Sequence, residues 1–518
     1  MKLSSFLFRQ LVYCLPLLLS ACAMVSGGVP LPVTAGDREL IKAAQAFANG
    51  PVPLIRHELD GRPNRIFKVA FDGTMNDRSR VPPSEQETVV ASIARRIDAR
   101  YFPGPGMQNP HFINLVDAAF GYSSASIAEG AEEVFFEQAN AWLDAAPDTE
   151  VRVFVTGFSR GAAIARHFIN LVVRDWPHRT RGRAVAPHFY AMLFDTVSTG
   201  QTDALDLSLP MSLDYLVHFV AKDEPRFLFV PVFDREVAAD PDRVTRVFNL
   251  WGLPQPQRIN LVQLPGAHSD IGSAYDRGVA VLYRSLSEQL LYEMGLLEQN
   301  CWETSEDVYT DGKHDSRGLL DRMIGAPAAN SAGSKPRQYL PVLSRAPGFQ
   351  EAAELNDRLS RMAIANYQRG AGTARIRNER HYPAFEVRRQ SDELQILRFE
   401  PADLIDKASI EFKIRDGQRR LTYRFIPPYD TGGSSLLLSD PIWNRLPDGR
   451  AARISYSAVR RSDGIYLASY VDDVLAISER INEADSSDVA DTRRRCQTDE
   501  RGNKRSPLRS FVIPAAGD

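Results

Sequence analysis

The sequence lacks several features that mark particular classes of protein. Its apolar runs all fall short of the roughly 20 residues that a membrane-spanning helix needs. The formal net charge is −3 and 25% of residues are charged, so the chain lacks the net basic character on which nucleic-acid binding usually depends. Its four cysteines have no metal-site spacing, and no solenoid-type repeat is present. With 518 residues, the chain is long enough for two or three globular domains.

The first residues differ from the rest of the chain. Residues 1–21 combine two basic side chains with a short apolar stretch at 11–19, which is typical of a secretory signal peptide. The segment ends in Leu-Ser-Ala followed by Cys22, which resembles the lipobox of a bacterial lipoprotein. We expect acyl chains on Cys22 to anchor the protein in a membrane, and Ala23 indicates the outer membrane, facing the periplasm. An ordinary signal peptide with a chance cysteine is the alternative.

The other cysteines fit an exported protein. Cys14 would leave with the signal peptide and Cys22 would carry lipid, so Cys301 and Cys496 remain. In an oxidising compartment two such cysteines often pair, and a Cys301–Cys496 disulfide would join the C-terminal tail to the region before it. Two separate buried thiols are the alternative.

The stretch at 151–166 predicts a strand, a tight turn and a helix. Apolar residues precede Gly157-Phe158-Ser159-Arg160-Gly161 and recur at helical spacing after it. A serine at the tip of such a turn is the nucleophile elbow of an α/β-hydrolase, in which a Cβ at either glycine would crowd the turn. The alternative is a packed, inert serine in a strand-to-helix turn.

Three residues that follow predicted strands suit nucleophilic catalysis. Ser159, Asp195 and His268 have the nucleophile, acid, base order of α/β-hydrolases. The base takes the serine proton and the acid orients the base. Since strand ends meet at one edge of a parallel sheet, we expect the three to converge. The alternatives are a turn aspartate and a loop histidine. The competing bases are His167, His178, His188 and His218, and the competing acid is Asp270.

Backbone N–H groups are expected to form the oxyanion hole. Arg160, directly after the nucleophile, supplies one, and Gly73 or Thr74, after the first strand, supplies the other; of these two we favour Gly73. Asp72, Thr74 and Asp270 are expected to support the site, although Asp72 could equally form a simple Asx turn. A structural ion-pair network beside the site is predicted from Asp223, Glu224 and Arg226.

The order of predicted elements indicates the fold class. Strands alternate with helices over 65–300, which predicts an α/β-hydrolase catalytic domain with a mostly parallel sheet and flanking helices. After 380, alternating apolar residues around Asp416-Gly417 and Asp463-Gly464 predict an antiparallel β-rich C-terminal region. The other predicted segments are a tether and surface helix at 22–64, a candidate lid at 200–258, a helical or irregular connector at 301–375, the β-rich region at 376–480 and a polar tail at 481–518.

A series of sequence blocks resembles one family. The blocks are Phe71-Asp72-Gly73-Thr74 with Asn76, Tyr101-Phe102-Pro103-Gly104, Gly157-Phe158-Ser159-Arg160-Gly161-Ala162-Ala163, Phe194-Asp195-Thr196-Val197, His218 with Asp223-Glu224-Pro225-Arg226, and Pro265-Gly266-Ala267-His268-Ser269-Asp270-Ile271-Gly272. They look like the uncharacterised α/β-hydrolase family DUF2235, which includes the type VI secretion phospholipase effectors of the first lipase class. The resemblance covers about 66–280. It implies a serine esterase acting on lipids, such as a phospholipase A, with the triad on Ser159, Asp195 and His268.

The N-terminus departs from that resemblance. Type VI effectors generally carry no signal peptide, so we expect a lipid-anchored envelope enzyme with a housekeeping role rather than an injected toxin. The expected substrate is a membrane lipid or another ester. We expect membrane contact through Cys22, no metal or organic cofactor and no nucleic acid, and the sequence identifies no protein partner. The alternatives are an esterase for a non-lipid ester and a non-catalytic envelope-binding lipoprotein on a hydrolase scaffold.

Overall fold

The computed structural model describes residues 29–371 with gaps, and beyond them only strands between 384 and 506. The gaps are 49–51, 82–84, 108–116, 118–120, 181, 183–184, 227–228, 239–242, 248–255, 276, 298–301, 304–311 and 318–336. Several predicted features lie outside the described residues. These are the signal peptide, Cys22, Cys301, Cys496, the Asp416-Gly417 turn and most of the polar tail.

Strands and helices alternate through the first half of the chain. The strands are β1 Val29–Leu31, β2 Asn64–Phe71, β3 Arg100–Phe102, β4 Glu150–Phe158, β5 His188–Phe194, β6 Leu213–Ala221, β7 Val232–Val237, β8 Arg243–Val247, β9 Ile259–Leu264, β10 Trp302–Glu303, β11 Lys313–Asp315, β12 Leu340–Arg345, β13 Ala384–Gln390, β14 Glu393–Glu400, β15 Ile410–Glu411, β16 Thr422–Tyr423, β17 Ser434–Leu437, β18 Ile442–Arg445, β19 Ala451–Arg461, β20 Gly464–Val471, β21 Val474–Ile481 and β22 Arg505–Ser506. The helices are α1 Ala35–Ala48, α2 Val89–Arg96, α3 Ser124–Ala145, α4 Arg160–Arg179, α5 His268–Ile271, α6 Val279–Glu293 and α7 Phe349–Ala371.

Parallel strands form the central sheet, in the order β3-β2-β4-β5-β6-β9. The chain runs from β2 outward to β3 and then returns to place β4 on the other side of β2. The carboxyl ends of β2 and β4 therefore flank a topological switch point, where open α/β sheets bind ligands. The prediction of an α/β fold with a mostly parallel sheet and flanking helices is confirmed.

Helices cover both faces of this sheet. Along β4, Val153 and Val155 pack with α3 and α4, whereas Phe154 and Phe158 pack with α1, α2, α6 and α7 on the opposite face. Successive side chains of a strand point to opposite faces. A strand covered on both sides is therefore apolar along most of its length, which explains the apolar run before Ser159.

One face of the core includes helices from outside the predicted catalytic segment. Ile41 and Ala44 of α1, and Leu359 and Met362 of α7, are buried in the same cluster as Phe154 of the sheet. The sequence predicts α1 as a surface helix and α7 as part of a connector. Both belong to the layer that covers the sheet, because their apolar faces are buried there.

Removing the Leu359 side chain tests this assignment of α7. Leu359 is fully buried, so Leu359→Ala is expected to lower the free energy of unfolding by about 2–5 kcal/mol. Leu343→Ala is a matched control, since Leu343 is 60% exposed and its loss should change stability by less than about 0.5 kcal/mol. Chemical denaturation followed by tryptophan fluorescence measures both. Equal, small effects would show that α7 does not stabilise the sheet.

The described strands after residue 384 pair antiparallel, as their alternating pattern predicts. β13 pairs with β14 and β8, and β20 pairs with β19 and β21. Arg461 lies opposite Gly464, so Gly464, predicted as a turn residue, begins β20. Within the described ranges, no helix is long and apolar enough to span a membrane.

Candidate active site

Polar residues follow the strands on either side of the switch point. Asp72 follows β2, Ser159 follows β4 and Asp195 follows β5, while His268 lies four residues after β9 and begins α5. Because these strands are parallel, their carboxyl ends lie at one edge of the sheet. The topology therefore brings the predicted site residues to the same edge.

Ser159 has the backbone conformation of a strained elbow. Its φ and ψ are 57° and −125°, a region that residues with a side chain adopt only when the surroundings enforce it. A Cβ at Gly157 would lie 2.6 Å from the Gly161 carbonyl oxygen, and one at Gly161 would lie 2.2 Å from that of Phe71. Both glycines are therefore required by close backbone approach. The Ser159 N–H donates to the Phe194 carbonyl at 2.9 Å, which ties the elbow to the end of β5.

Asp195 and His268 form a buried hydrogen-bonded pair. His268 Nδ1 donates to Asp195 Oδ2 at 2.6 Å, and Asp195 Oδ1 accepts from the Ala221 N–H at 2.9 Å. Burial by itself would raise the pKa of the Asp195 carboxyl. The Arg337 guanidinium and the His268 hydrogen bond outweigh burial and hold that pKa well below its ordinary value. Asp195 is therefore an ionised acceptor that orients the imidazole.

Aromatic rings and a carboxylate hold the His268 imidazole in place. The ring stacks on Phe158, the residue before the nucleophile, with 4.6 Å between ring centroids, and it meets the Phe229 ring edge-on at 4.9 Å. The His268 N–H donates to Glu224 Oε2 at 3.0 Å, and Glu224 pairs with Arg226 at 2.7 Å. Glu224 and Arg226 thus form an ion pair within the network predicted at 223–226, whereas Asp223 pairs with Lys313 at 2.6 Å.

The free nitrogen of His268 is the most informative atom of the site. His268 Nε2 is buried and has no hydrogen-bond partner in the described part of the chain, Ser159 Oγ included. Burial lowers the pKa of His268 although the Asp195 carboxylate raises it, so the ring is neutral near pH 7 with its lone pair on Nε2. Buried polar atoms nearly always find partners, and an orphan calls for a functional explanation. Nε2 is therefore available to accept a proton.

The loop after β2 carries Gly73 and Thr74, the two residues from which an oxyanion-hole donor is predicted. The Gly73 N–H donates to Asp72 Oδ1 at 2.8 Å, so in this conformation it is already engaged. Thr74, the alternative considered from the sequence, carries the next N–H along the loop. Arg160 Nη1 donates to Thr74 Oγ1 at 3.0 Å, so the residue after the nucleophile also holds this loop by its side chain.

The Asp72 carboxylate holds the loop at Gly73-Thr74 by hydrogen bonds. It accepts from Thr88 Oγ1 at 2.9 Å and from the Tyr101 hydroxyl at 2.7 Å, in addition to the Gly73 N–H. Burial raises the pKa of Asp72 to about 6. A Cβ at Gly104 would lie 1.7 Å from the Gly73 carbonyl oxygen, which explains the glycine in that loop. The Asp72 carboxylate thus joins this loop to Thr88 and Tyr101.

Asp270 supports the histidine loop rather than competing for the His268 ring. It accepts from the Ala267 N–H at 2.9 Å and from the N–H and Nδ1 of His314 at 2.9 and 2.7 Å. Burial raises the pKa of the Asp270 carboxyl. His314 comes from the predicted connector, so the segment after 300 helps to build the site.

Two competing histidines lie in similar clusters of aspartate, histidine and arginine. His218 Nδ1 lies 3.3 Å from Asp234, which Arg166 binds, but its Nε2 contacts Thr196 Oγ1 at 2.9 Å. His188 lies 3.3 Å from Asp214, which binds Arg358, at the amino end of the sheet. His167 Nδ1 accepts from the Asp206 N–H at 3.1 Å. Among His167, His188, His218 and His268, only His268 lies against the Ser159 elbow with Nε2 unpartnered in the described part of the chain.

Arg337 and Phe229 are site residues that the sequence analysis missed. Arg337 donates through both Nη atoms to the two carboxylate oxygens of Asp195, at 2.7 and 2.8 Å. It follows a polar stretch without periodicity, and an isolated arginine there carries no signal of its partner. Within the described residues, no group of three or more histidine, cysteine, aspartate or glutamate side chains could hold a metal ion.

Comparisons with known proteins find little similarity. No family model and no curated protein matches the chain. An uncharacterized protein from Pseudomonas aeruginosa aligns at 14% identity over 67% of this chain and 56% of that protein, with a TM-score of 0.27. This chain thus spans little more than half of that protein. Lysin B from Mycobacteriophage D29 aligns at 12% identity over 54% of this chain and 96% of that one, with a TM-score of 0.18. At such low TM-scores neither alignment carries an argument about fold or function.

Proposed function

We propose that this protein is a serine ester hydrolase with an α/β-hydrolase fold that acts on lipids. The observation that carries the proposal is the Ser159 elbow beside the buried His268–Asp195 pair, with His268 Nε2 unpartnered. A strained serine, a neutral buried imidazole and an ionised aspartate are the parts that activate a hydroxyl. The resemblance of the sequence to the DUF2235 family supports the same reaction class.

The proposed reaction begins with attack by Ser159 Oγ on the ester carbonyl carbon. His268 Nε2 takes the hydroxyl proton, and the Asp195 carboxylate stabilises the imidazolium that forms. The tetrahedral intermediate collapses as His268 returns the proton to the leaving alkoxide. Water then attacks the acyl-enzyme, again with His268 as base, and releases the carboxylic acid.

Backbone dipoles supply the proposed oxyanion hole. The N–H of Arg160 lies at the start of α4, where the helix dipole favours negative charge. The loop at Gly73-Thr74 supplies the second donor, with the Thr74 N–H favoured because that of Gly73 binds Asp72. Ser159 and His268 Nε2 are not hydrogen-bonded in the structure, and bonds of this kind often form only with substrate bound.

The lipid substrate and the location follow from sequence features. We propose that Cys22 carries acyl chains and anchors the protein to the outer membrane, facing the periplasm. Anchoring holds the site beside the bilayer and so raises the local concentration of lipid substrate. A phospholipase A-type reaction is the specific form that the family resemblance supports.

Covalent labelling tests the reaction class. Full-length protein in detergent is incubated with a fluorophosphonate probe, and the labelled peptide is identified by mass spectrometry. We expect one adduct, on Ser159. A folded protein that does not label would contradict the enzyme and favour the binding-lipoprotein alternative.

An acyl-chain series tests the substrate class. We expect kcat/KM for p-nitrophenyl esters to rise from acetate to longer acyl chains, because a lipid enzyme needs an apolar groove whose occupation contributes about 0.8 kcal/mol per buried methylene. Phospholipid vesicles provide the direct substrate. Activity confined to acetyl esters would support the non-lipid esterase instead.

A further inference from the structure

Arg337 donates hydrogen bonds to four acceptors next to the His268–Asp195 pair. Its Nη1 donates to Asp195 Oδ1 at 2.7 Å and to the Ala221 carbonyl at 2.6 Å. Its Nη2 donates to Asp195 Oδ2 at 2.8 Å and to the Phe229 carbonyl at 2.7 Å. All four hydrogens on the two Nη atoms are thus used, and the side chain is 5% exposed. Such a two-pronged contact is the geometry in which arginine fixes a carboxylate most firmly.

These bonds connect the elements that surround the imidazole. Asp195 directly follows β5, Ala221 ends β6, and Phe229 places its ring against His268. Arg337 itself comes from a part of the chain far from all three in sequence. It therefore holds the acid in the plane that His268 Nδ1 requires, and it fixes the backbone that carries the Phe229 ring.

We propose that Arg337 is a positioning residue of the hydrolase: it orients Asp195 and, through its charge, keeps His268 unprotonated at lower pH. This inference rests on the function proposed above. Arg337 has no contact with the reacting atoms and acts through Asp195.

The charges around His268 explain why removing Arg337 is expected to raise the proton affinity of the imidazole. The groups that face it are Asp195 with Arg337, and Glu224 with Arg226. Each carboxylate is thus matched by a guanidinium, so the imidazole lies between two compensated pairs. Removing Arg337 leaves the Asp195 charge uncompensated, and the proton affinity of the coupled His268–Asp195 pair rises. Only the neutral imidazole accepts the serine proton. As pH falls, a variant in which His268 is protonated more readily therefore loses activity at a higher pH than wild type does.

Two substitutions separate the effect of the Arg337 charge from the effect of its two-pronged contact with Asp195. Arg337→Gln removes the charge, and we expect the midpoint of the acid limb of fluorophosphonate labelling to rise by about one pH unit. At pH values below both midpoints this makes labelling about tenfold slower. Arg337→Lys keeps the charge but loses the fork, so it should label more slowly at every pH while the midpoint stays within about 0.3 units of wild type.

Arg358→Gln is the matched control. Arg358 also binds an aspartate through two hydrogen bonds, from Nε and Nη2 to Asp214 at 2.7 and 2.9 Å, at the opposite end of β6. The Arg358→Gln substitution should leave the midpoint of the acid limb of labelling unchanged. A midpoint that moves equally in the Arg337→Gln and Arg358→Gln variants, or in neither, would overturn the role of Arg337, since general loosening of the fold would then explain any loss.

NMR of 13C-labelled histidine rings, with His268→Gln for assignment, makes the test independent of catalysis. If wild type does not label at Ser159, the enzyme proposal fails, yet the His268 titration still shows whether Arg337 sets its protonation. If wild type labels and the His268 midpoint is the same in Arg337→Gln, only the Arg337 proposal fails. Should Arg337→Gln not fold, Arg337→Lys decides, because an upward shift in that charged variant would contradict the proposal.

Discussion

Ser159→Ala is expected to lower kcat/KM for ester hydrolysis by about 10⁴-fold or more and to abolish fluorophosphonate labelling. Alanine leaves the elbow without a nucleophile, and the remaining donors stabilise an oxyanion that no protein group can generate. His268→Gln should reduce the rate to a similar residual level, because serine and histidine act as one unit and their losses do not add. Steady-state hydrolysis by the purified variants measures both.

Ser287→Ala provides the control for this prediction. Ser287 is also buried, and its hydroxyl donates to the Tyr283 carbonyl within α6 at 2.8 Å, away from the sheet edge. Its loss should leave kcat/KM within about threefold of wild type, the range that a small, distant change in stability produces. If Ser159→Ala kept more than a tenth of wild-type activity while folded, another nucleophile would be responsible and the proposed mechanism would fail.

Asp195→Asn is expected to lower kcat by about 10³- to 10⁴-fold. The amide favours the wrong tautomer of His268 and cannot stabilise an imidazolium. It also leaves the buried Arg337 guanidinium without its counter-charge, and breaking such a pair costs about 3–5 kcal/mol of stability. We therefore expect both a slower enzyme and a lower midpoint of unfolding, measured by single-turnover kinetics and by chemical denaturation.

Asp214→Asn separates the loss of stability from the loss of kcat. Asp214 is equally buried and binds both Arg358 and His188, but it lies at the amino end of β6. Its substitution should cost similar stability with less than about a tenfold change in kcat. Equal kinetic losses in the two variants would assign Asp195 a structural role only.

Local patterns account for the parts of the fold that were predicted well. The β5 strand is buried along nearly its whole length, and strands buried on both faces form short apolar runs between polar turns, which a local pattern reveals. The Ser159 elbow is predictable for the same local reason. Its glycines are demanded by backbone contacts within a few residues, or with the strand that pairs alongside.

The oxyanion loop shows where local patterns are insufficient. The sequence favours Gly73 as a donor, but a side chain one residue away captures that N–H, as Asp72 bonds to it at 2.8 Å. Which way the Asp72 carboxylate turns depends on Thr88 and Tyr101, which approach from other elements. Donor assignment in a loop therefore needs the surrounding elements in place.

The sequence by itself determined the class of fold and the order along the chain of Ser159, Asp195 and His268, the proposed nucleophile, acid and base, because periodicity and turn chemistry act between near neighbours. Only the tertiary structure decided that α1 and α7 cover the sheet, that Asp270 pairs with His314, and that Arg337 binds Asp195. Arg337 and Asp195, for example, are separated by 142 positions. An ion pair over such a distance depends on where the folded backbone places each group, and no spacing in the sequence records it.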